Sequence, residues 1–433
     1  MKRQSFVSYL VLLLVPFLFG ACEAEENPVA PVEYAERTVL VYIAAENNLT
    51  EFNGIRFADN DLEEMKEGSR QLHDRQNLIV YVDEADGNPP YIARVKDGEL
   101  VDSFALKESL TADPAILEKM LLYSRMNYPA HSYGLVLWGH ADGWLIKNDS
   151  VAYAGTRAYG GDTGINTPNG TGKYWMNIPS MVRAISHGMG SEHLSFIFAD
   201  CCNFACIESA YELRHVTDYL IASPAEVPDI GAPYQLVVPA LFDTSETFYQ
   251  SVIDFYFDYY METVRENPDI YFNRRIGDLE GYSIPLVAIR SSELENLAQA
   301  TADLLSTIPD KLSPDGDFTF DSLVYYNVDL SSSSKHGYDI YHALKANTSE
   351  SDFNKWEPWF KKAVPYSRLS AKWQTALYQL MADMNVFSMT PQNYSMVSMF
   401  FPRQMYDSEK PNWNTAIQGF QWNNVIRWQQ YGW

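Results

Sequence analysis

The sequence predicts an α/β fold, with a central, mostly parallel sheet flanked by helices and followed by a C-terminal α+β extension. Three observations carry this. Thr38–Ala45, Tyr133–Trp138 and Leu194–Ala199 are continuous apolar runs, the pattern of strands buried on both faces. Stretches of helical periodicity lie between such runs, so the connections are crossovers, and right-handed crossover makes strands 133–138 and 194–199 parallel. With 433 residues, 46% apolar and 20% charged, the chain can bury a large core and is not a disordered polymer.

At the N-terminus, Lys2 and Arg3 precede an apolar run, Phe6–Phe19, which is too short to span a bilayer, and then Gly20, Ala21 and Cys22. This is the layout of an export signal. The small residues before Cys22 resemble the processing site of bacterial lipoproteins, which implies a signal peptide at 1–21, a lipid anchor on Cys22 and a solvated tether at 22–36. A plain secretory signal is the alternative. The expected location is exported, on the outer membrane or cell surface and otherwise periplasmic or secreted, with the membrane reached through the lipid. The core is expected at 37–310 and the extension, packed on it, at 311–433.

Each element has its own signal. After the strand at 38–45, Glu46-Asn47-Asn48 breaks the run, a helix is expected at 59–72, and Asn77–Asp83 is the next strand. Tyr91–Val95 and Glu99–Ser103 read as a hairpin closed by Asp97-Gly98. Pro114–Met126 places Ile116, Met120, Leu121 and Tyr123 at helical spacing, with Asp113 as the cap and Pro114 at the first helical position. The strand at 133–138 runs into Gly139-His140-Ala141-Asp142-Gly143. Residues 147–174 are rich in Gly, Asn and Thr, a long irregular segment of the kind that carries function. A helix at 178–189 leads to the strand 194–199, which ends in Asp200-Cys201-Cys202, and a helix is expected from Asn203 to Arg214. Asp218–Ser223 is a further strand, followed by a loop at 224–234 on the same edge. Helices at 247–262 and 292–307, a strand at 283–289 and a strand at 393–402 complete the reading.

The formal net charge is −24, and a chain trimmed of Lys2 and Arg3 is more acidic still, so nucleic acid is a poor partner. Of four cysteines, Cys22 is assigned to the anchor and Cys201, Cys202 and Cys206 cluster together. An exported protein without dispersed cysteines has no disulfide framework, so these thiols need another reason.

Parallel strands 133–138 and 194–199 end on one edge, which brings His140 beside Cys202. A thiol of pKa near ~8.5 becomes a nucleophile when a helix N-terminus or an imidazolium favours its thiolate, and the sequence offers both. A competing reading makes Cys202 and Cys206, four apart on a helix, zinc ligands with His140, but no second pair has ligand spacing.

Leu135–His140, Phe198–Cys202 with Glu208–Leu213, Ser223–Glu226 with Gly231–Tyr234, and Ser398–Pro402 together resemble the clostripain family of cysteine peptidases over roughly residues 38–432. The resemblance implies a caspase-like fold and a peptidase that cleaves after Arg or Lys through an acyl-enzyme. It makes Cys202 the nucleophile, His140 the catalytic histidine, and the amides of Ala141 and Cys202 the oxyanion donors. It also makes Asp200 the acid that pairs with the basic residue before the cut, with Asp229 a second such acid. The partners implied are peptides or proteins with Arg or Lys before the cut, and the chain is expected to act as a monomer. The family's loop between histidine and cysteine often carries self-cleavage sites; within 145–176 the candidates for one are Lys147, Arg157 and Lys173, which otherwise read as ordinary solvated charges. No cofactor is expected; calcium is allowed for, without an Asp-rich loop of recognisable spacing. Where the family has Gly after the histidine this chain has Ala141, which a left-handed φ would strain by roughly 1 kcal/mol. From a different class, the alternative is an inactive surface lipoprotein that binds peptide or glycan through its aromatics.

Overall fold

The computed structural model describes residues 33–107, 110–145, 159–165, 172–264, 266, 280–328, 335–374, 382–383 and 395–433. The signal peptide, Cys22, Lys147 and Arg157 fall outside them, as does most of the tether. Residues 34–433 form one compact unit.

Strands β1 (Arg37–Ala45), β2 (Gln76–Glu84), β3 (Tyr91–Lys96), β4 (Glu99–Ala105), β5 (Tyr133–Gly139), β8 (Leu194–Asp200), β9 (Thr217–Ala222), β10 (Leu286–Arg290) and β13 (Tyr366–Arg368) build a nine-stranded sheet in the order β13-β10-β9-β8-β5-β1-β2-β3-β4. The five central strands β2, β1, β5, β8 and β9 are parallel. The β3–β4 hairpin closes one edge antiparallel and β10 with β13 the other. Strand β13 comes from residues assigned by sequence to the extension, so chain beyond residue 310 completes the central sheet. It also builds a three-stranded sheet of β11 (Tyr325–Val328), β12 (Lys335–Asp339) and Ser398–Met399.

Period-two alternation decides which layer each strand residue enters. Val39, Val41, Val136, Trp138, Phe196 and Phe198 pack with helices α1 (Phe57–Ser69), α5 (Tyr234–Leu241) and α6 (Phe248–Tyr259). Leu40, Tyr42, Leu135, Leu137, Ile197, Ala199 and Cys201 pack on the other face with α2 (Pro114–Asn127), α3 (Ile178–Met189) and the extension. Asp113 caps α2 as expected, accepting from the Ala115 amide at 2.9 Å. The hairpin turn places Asp97 and Gly98 at φ 52° and 86°, the two left-handed positions an Asp-Gly turn supplies.

Three strand and helix expectations change, and the loop expected at 224–234 is present. The helix after the cysteines, α4, spans Ile207–Leu213 rather than 203–214, and residues 201–205 form a turn. The loop at 224–234 ends in α5, and only Ser398–Met399 of the strand expected at 393–402 is a strand among the described residues. The short strands β6 (Tyr159–Asp162) and β7 (Tyr174–Met176) pair within the segment read as irregular.

Candidate active site

Strand register sets the site. Trp138 of β5 lies opposite Asp200 of β8, so His140 and Cys202 stand at equivalent places, each two residues past that pair on the carboxyl edge. The same alternation that sends Cys201 into one layer turns Asp200 into the other, alongside Trp138.

The thiol of Cys202 rests on the loop after β9. Its sulfur accepts from the Val227 amide at 3.4 Å and donates to the Val227 carbonyl at 3.6 Å. That loop grips the turn after β8 twice more, through Asn203 N to Ala225 O at 2.9 Å and Ala205 N to Ser223 O at 2.9 Å. Asn203 adopts φ 57°, a left-handed conformation that Asn tolerates, and this prevents the helix from starting there. The thiol is therefore not at a helix N-terminus, contrary to the sequence reading. Cys202 is half-buried as a residue, yet its sulfur is enclosed enough that burial pushes its pKa up, and the carboxylates of Glu226, Asp142 and Asp229 add to this. Burial and these carboxylates thus favour the thiol over the thiolate, and His140 is the imidazole at the equivalent place on this edge.

The imidazole of His140 is placed from the opposite side. Its Nε2 lies 2.9 Å from Oδ1 of Asn48, in the turn after β1. The histidine loop is pinned by Gly160 N to His140 O at 2.8 Å and by an antiparallel bridge between Ala141 and Tyr159. Tyr159 in turn donates to the carbonyls of Tyr42 and Trp138, bracing the ends of β1 and β5. Ala141 is buried and its φ is not left-handed; Gly139 and Gly143 take the positive φ values of 141° and 64°. The strain considered for alanine at this position does not arise.

Asp200 does not cap the following helix. It is 4% exposed and accepts from Ala232 N and Tyr234 Oη at 2.9 Å and from Tyr256 Oη at 2.8 Å. Burial raises its pKa, and the three donors oppose that rise. Asp61 on α1 lies across from it, accepting from the Trp138 indole, its pKa raised well by burial and by the Asp200 charge. Gly231 (φ 60°) passes between the two: a Cβ there would come within 2.6 Å of Asp61 Oδ2 and 3.0 Å of Asp200 Oδ2. Only glycine fits that approach. Asp229 is exposed on the same loop, its carboxyl close enough to protein for burial to raise its pKa. Lys173 is exposed beside β7.

The zinc geometry is not formed. Cys206 precedes α4 and donates to Ser209 Oγ at 3.0 Å, so it does not share a helical face with Cys202. Among the described residues, the potential metal ligands that converge are Glu46, Asp83 and Asp162, all buried, with ligand oxygens within 4.8 Å of one another. Oxygen donors of this kind suit calcium or magnesium. The oxygens already accept from protein donors: Asp162 from Thr111 N at 2.6 Å and Gly164 N at 2.7 Å, and Asp83 from Thr111 Oγ1 at 3.0 Å.

Burial and the neighbouring Glu46 and Asp83 push Asp162 up to about 8, and burial pushes Glu208, whose Oε1 accepts from Phe400 N at 2.8 Å, up to about 7. Both folded-state values lie above the unfolded ones, so the folded chain holds extra protons between those limits. The stability this contributes is complete below about pH 4 and is lost as pH rises through 7 to 8. From these groups the melting temperature is expected to fall between about pH 4 and 8 and to level off above. Glu208→Gln, which keeps an acceptor for Phe400, is expected to flatten that fall; a variant melting curve with the wild-type slope contradicts the assignment.

Sequence reasoning missed Asn48, Asp61 and the Val227 contact. Asn48 carried a usable signal, since it follows a strand ending on the catalytic edge.

The chain matches the model of the clostripain family (peptidase C11) over residues 41–431. It is similar to a secreted C11 cysteine protease from Bacteroides thetaiotaomicron, solved with an irreversible peptide inhibitor, at 27% identity and TM-score 0.71, covering 91% of this chain and 99% of that one. It is similar in fold to an inactive zymogen C11 protease from Parabacteroides distasonis, at 23% identity and TM-score 0.67 over the same shares. No curated protein matches. With the family model spanning nearly its whole length, the chain belongs to the clostripain family of cysteine peptidases.

Proposed function

We propose that the chain is an exported, lipid-anchored endopeptidase that cleaves after Arg or Lys with a Cys202–His140 dyad. The observation that carries the dyad is the β5–β8 register, which gives the two side chains equivalent positions on one edge. In this reading His140 takes the Cys202 proton, the thiolate attacks the scissile carbonyl, and the amides of Cys202 and Ala141 hold the oxyanion. The imidazolium then protonates the leaving amine, and water releases the acyl group. Preference for a basic residue rests on the acids around the thiol: Asp200 below, Asp229 at the rim, and the carboxylates that already raise the Cys202 pKa. A bound cation neutralises that field and so makes the thiolate easier to form.

Export and anchoring rest on the sequence of residues 1–22 and on the relative described as secreted. Among the described residues no helix is long and apolar enough to cross a membrane. Peptide or glycan binding by surface aromatics has less support, because Trp356, Trp373, Trp413, Trp422 and Trp428 are fully buried and pack the core.

The test is hydrolysis of short reporter peptides differing only at the residue before the cut. Arg and Lys reporters are expected to exceed a Leu reporter in kcat/KM by roughly ten- to a hundredfold, the range of one charge-assisted contact. Equal rates for all three remove the specificity, and no hydrolysis of any removes the peptidase mechanism proposed.

A further inference from the structure

Asp142 lies two residues after His140, and nothing in the mechanism above uses its contacts. Its Oδ1 accepts from Nδ2 of Asn203, the residue that follows the nucleophile, at 3.3 Å. The same oxygen accepts from Nδ2 of Asn327 on β11, in the C-terminal extension. One carboxylate oxygen thus joins the histidine loop, the nucleophile turn and a strand distant in sequence from both.

We propose that Asp142 is a positioning residue for the Cys202–His140 pair, and that Asn327 is the anchor through which the C-terminal extension fixes it. The inference rests on the dyad reading given above. Three features of the molecule support it. A carboxylate offers only acceptors, so it holds both amides with their NH2 groups inward. Asn203 accordingly leaves its own Oδ1 buried without a partner, the orientation that puts its NH2 group on Asp142. The two loops also meet directly beside this contact: at Gly143 (φ 64°) a Cβ would lie 2.7 Å from the Asn203 carbonyl oxygen and 3.3 Å from Cys206 Sγ. Finally, Trp144 stacks edge-on against Phe400 and Phe420, with ring centroids at 4.8 and 6.1 Å, so the end of the histidine loop is seated in the extension.

The contacts act on the alignment of two groups, and misplacing reacting groups by about 1 Å costs on the order of a hundredfold in rate. Loss of Asn327 removes the restraint that comes from the extension, and loss of the Asp142 charge weakens the bonds to both Asn203 and Asn327. The effects are therefore coupled.

The experiment is a double-mutant cycle in the full chain with Asp142→Asn, Asn327→Ala and the double variant. Two quantities are read: kcat and KM on an Arg reporter, and the rate of Cys202 alkylation by iodoacetamide from about pH 6 to 9, mapped by mass spectrometry. The expected result is a roughly tenfold lower kcat for Asn327→Ala with KM changed less than about twofold, and a larger loss for Asp142→Asn. The double variant is expected to lose less than the sum of the two single losses. The alkylation profile of Asn327→Ala is expected to depart from wild type because the imidazole no longer meets the thiol in the same geometry; that of Asp142→Asn shifts also through loss of a carboxylate that raises the Cys202 pKa, so Asn327→Ala is the variant that reads geometry. Additive losses in the cycle overturn the proposal, as does an Asn327→Ala protein with wild-type kcat and alkylation profile. Should the wild-type chain fail to hydrolyse any reporter, the peptidase mechanism fails on its own, and the alkylation profiles still decide whether Asp142 and Asn327 position the pair. Should Asp142→Asn not fold, the Asn327→Ala profile against wild type decides alone.

Discussion

Replacing Cys202 by alanine is expected to lower the hydrolysis of Arg and Lys reporters by at least about 10⁴-fold while leaving the melting temperature nearly unchanged. The two halves of this expectation have separate causes. Without the sulfur there is no acyl-enzyme, and what remains is binding and an oxyanion site with nothing to attack the carbonyl. For stability, the sulfur contributes only the long contacts to Val227, at 3.4 and 3.6 Å, on a half-buried residue. The neighbouring thiols behave in the opposite way. Cys201 and Cys206 are each 2% exposed inside the layer shared with α3, so Cys201→Ala or Cys206→Ala is expected to cost about 1 to 2 kcal/mol of stability and to leave turnover within a few-fold. Steady-state kinetics and thermal melting on the three variants check this directly. Loss of activity in Cys201→Ala with retention in Cys202→Ala would move the nucleophile by one residue.

The second large effect is expected at Asp200. Asp200→Asn should reduce kcat/KM for the Arg reporter by about ten- to a hundredfold and leave the Leu reporter nearly unaffected. A carboxylate has about four acceptor positions, of which Ala232, Tyr234 and Tyr256 occupy three, so one position and the charge remain for a basic substrate residue. Asparagine is the informative replacement. Asp200→Ala strands three buried donors at about 1 to 3 kcal/mol each and would confound specificity with unfolding. Because burial raises the Asp200 pKa, the Arg-to-Leu ratio is expected to grow as pH rises and the carboxylate ionises, and taking the ratio cancels the titration of His140, common to both substrates. A ratio that is flat with pH and unchanged in Asp200→Asn would assign the preference elsewhere, with exposed Asp229 next in line.

Much of this site was legible in the sequence because strands buried on both faces announce themselves. The runs at 38–45, 133–138 and 194–199 are parallel neighbours, and crossover handedness alone puts His140 and Cys202 on one edge. Local chemistry was legible as well, as in the Asp113 cap and the Asp-Gly turn. What stayed hidden depends on contacts between residues far apart in the chain. The periodicity of 203–214 fits a helix, but Asn203 is drawn into a left-handed turn by Ala225 and Asp142, and no helical pattern encodes those partners. Strand β13 is three residues long and pairs antiparallel at an edge, too short for alternation to register. The environment of the thiol was the largest difference: a helix N-terminus was expected to favour the thiolate, whereas burial and the Glu226, Asp142 and Asp229 carboxylates disfavour it. Under the mechanism proposed, that reversal shifts the work of activation onto His140 and onto an arriving cation.

The measurement that tests the central claim most directly is peptide mapping of the intact chain after reaction with a short peptide ending in Arg and bearing a thiol-directed electrophile. The account predicts one adduct, on Cys202, formed faster than with the equivalent Leu peptide and lost in His140→Ala. An adduct on Cys201 or Cys206, or hydrolysis of the Arg reporter that persists with Cys202 unlabelled, contradicts it.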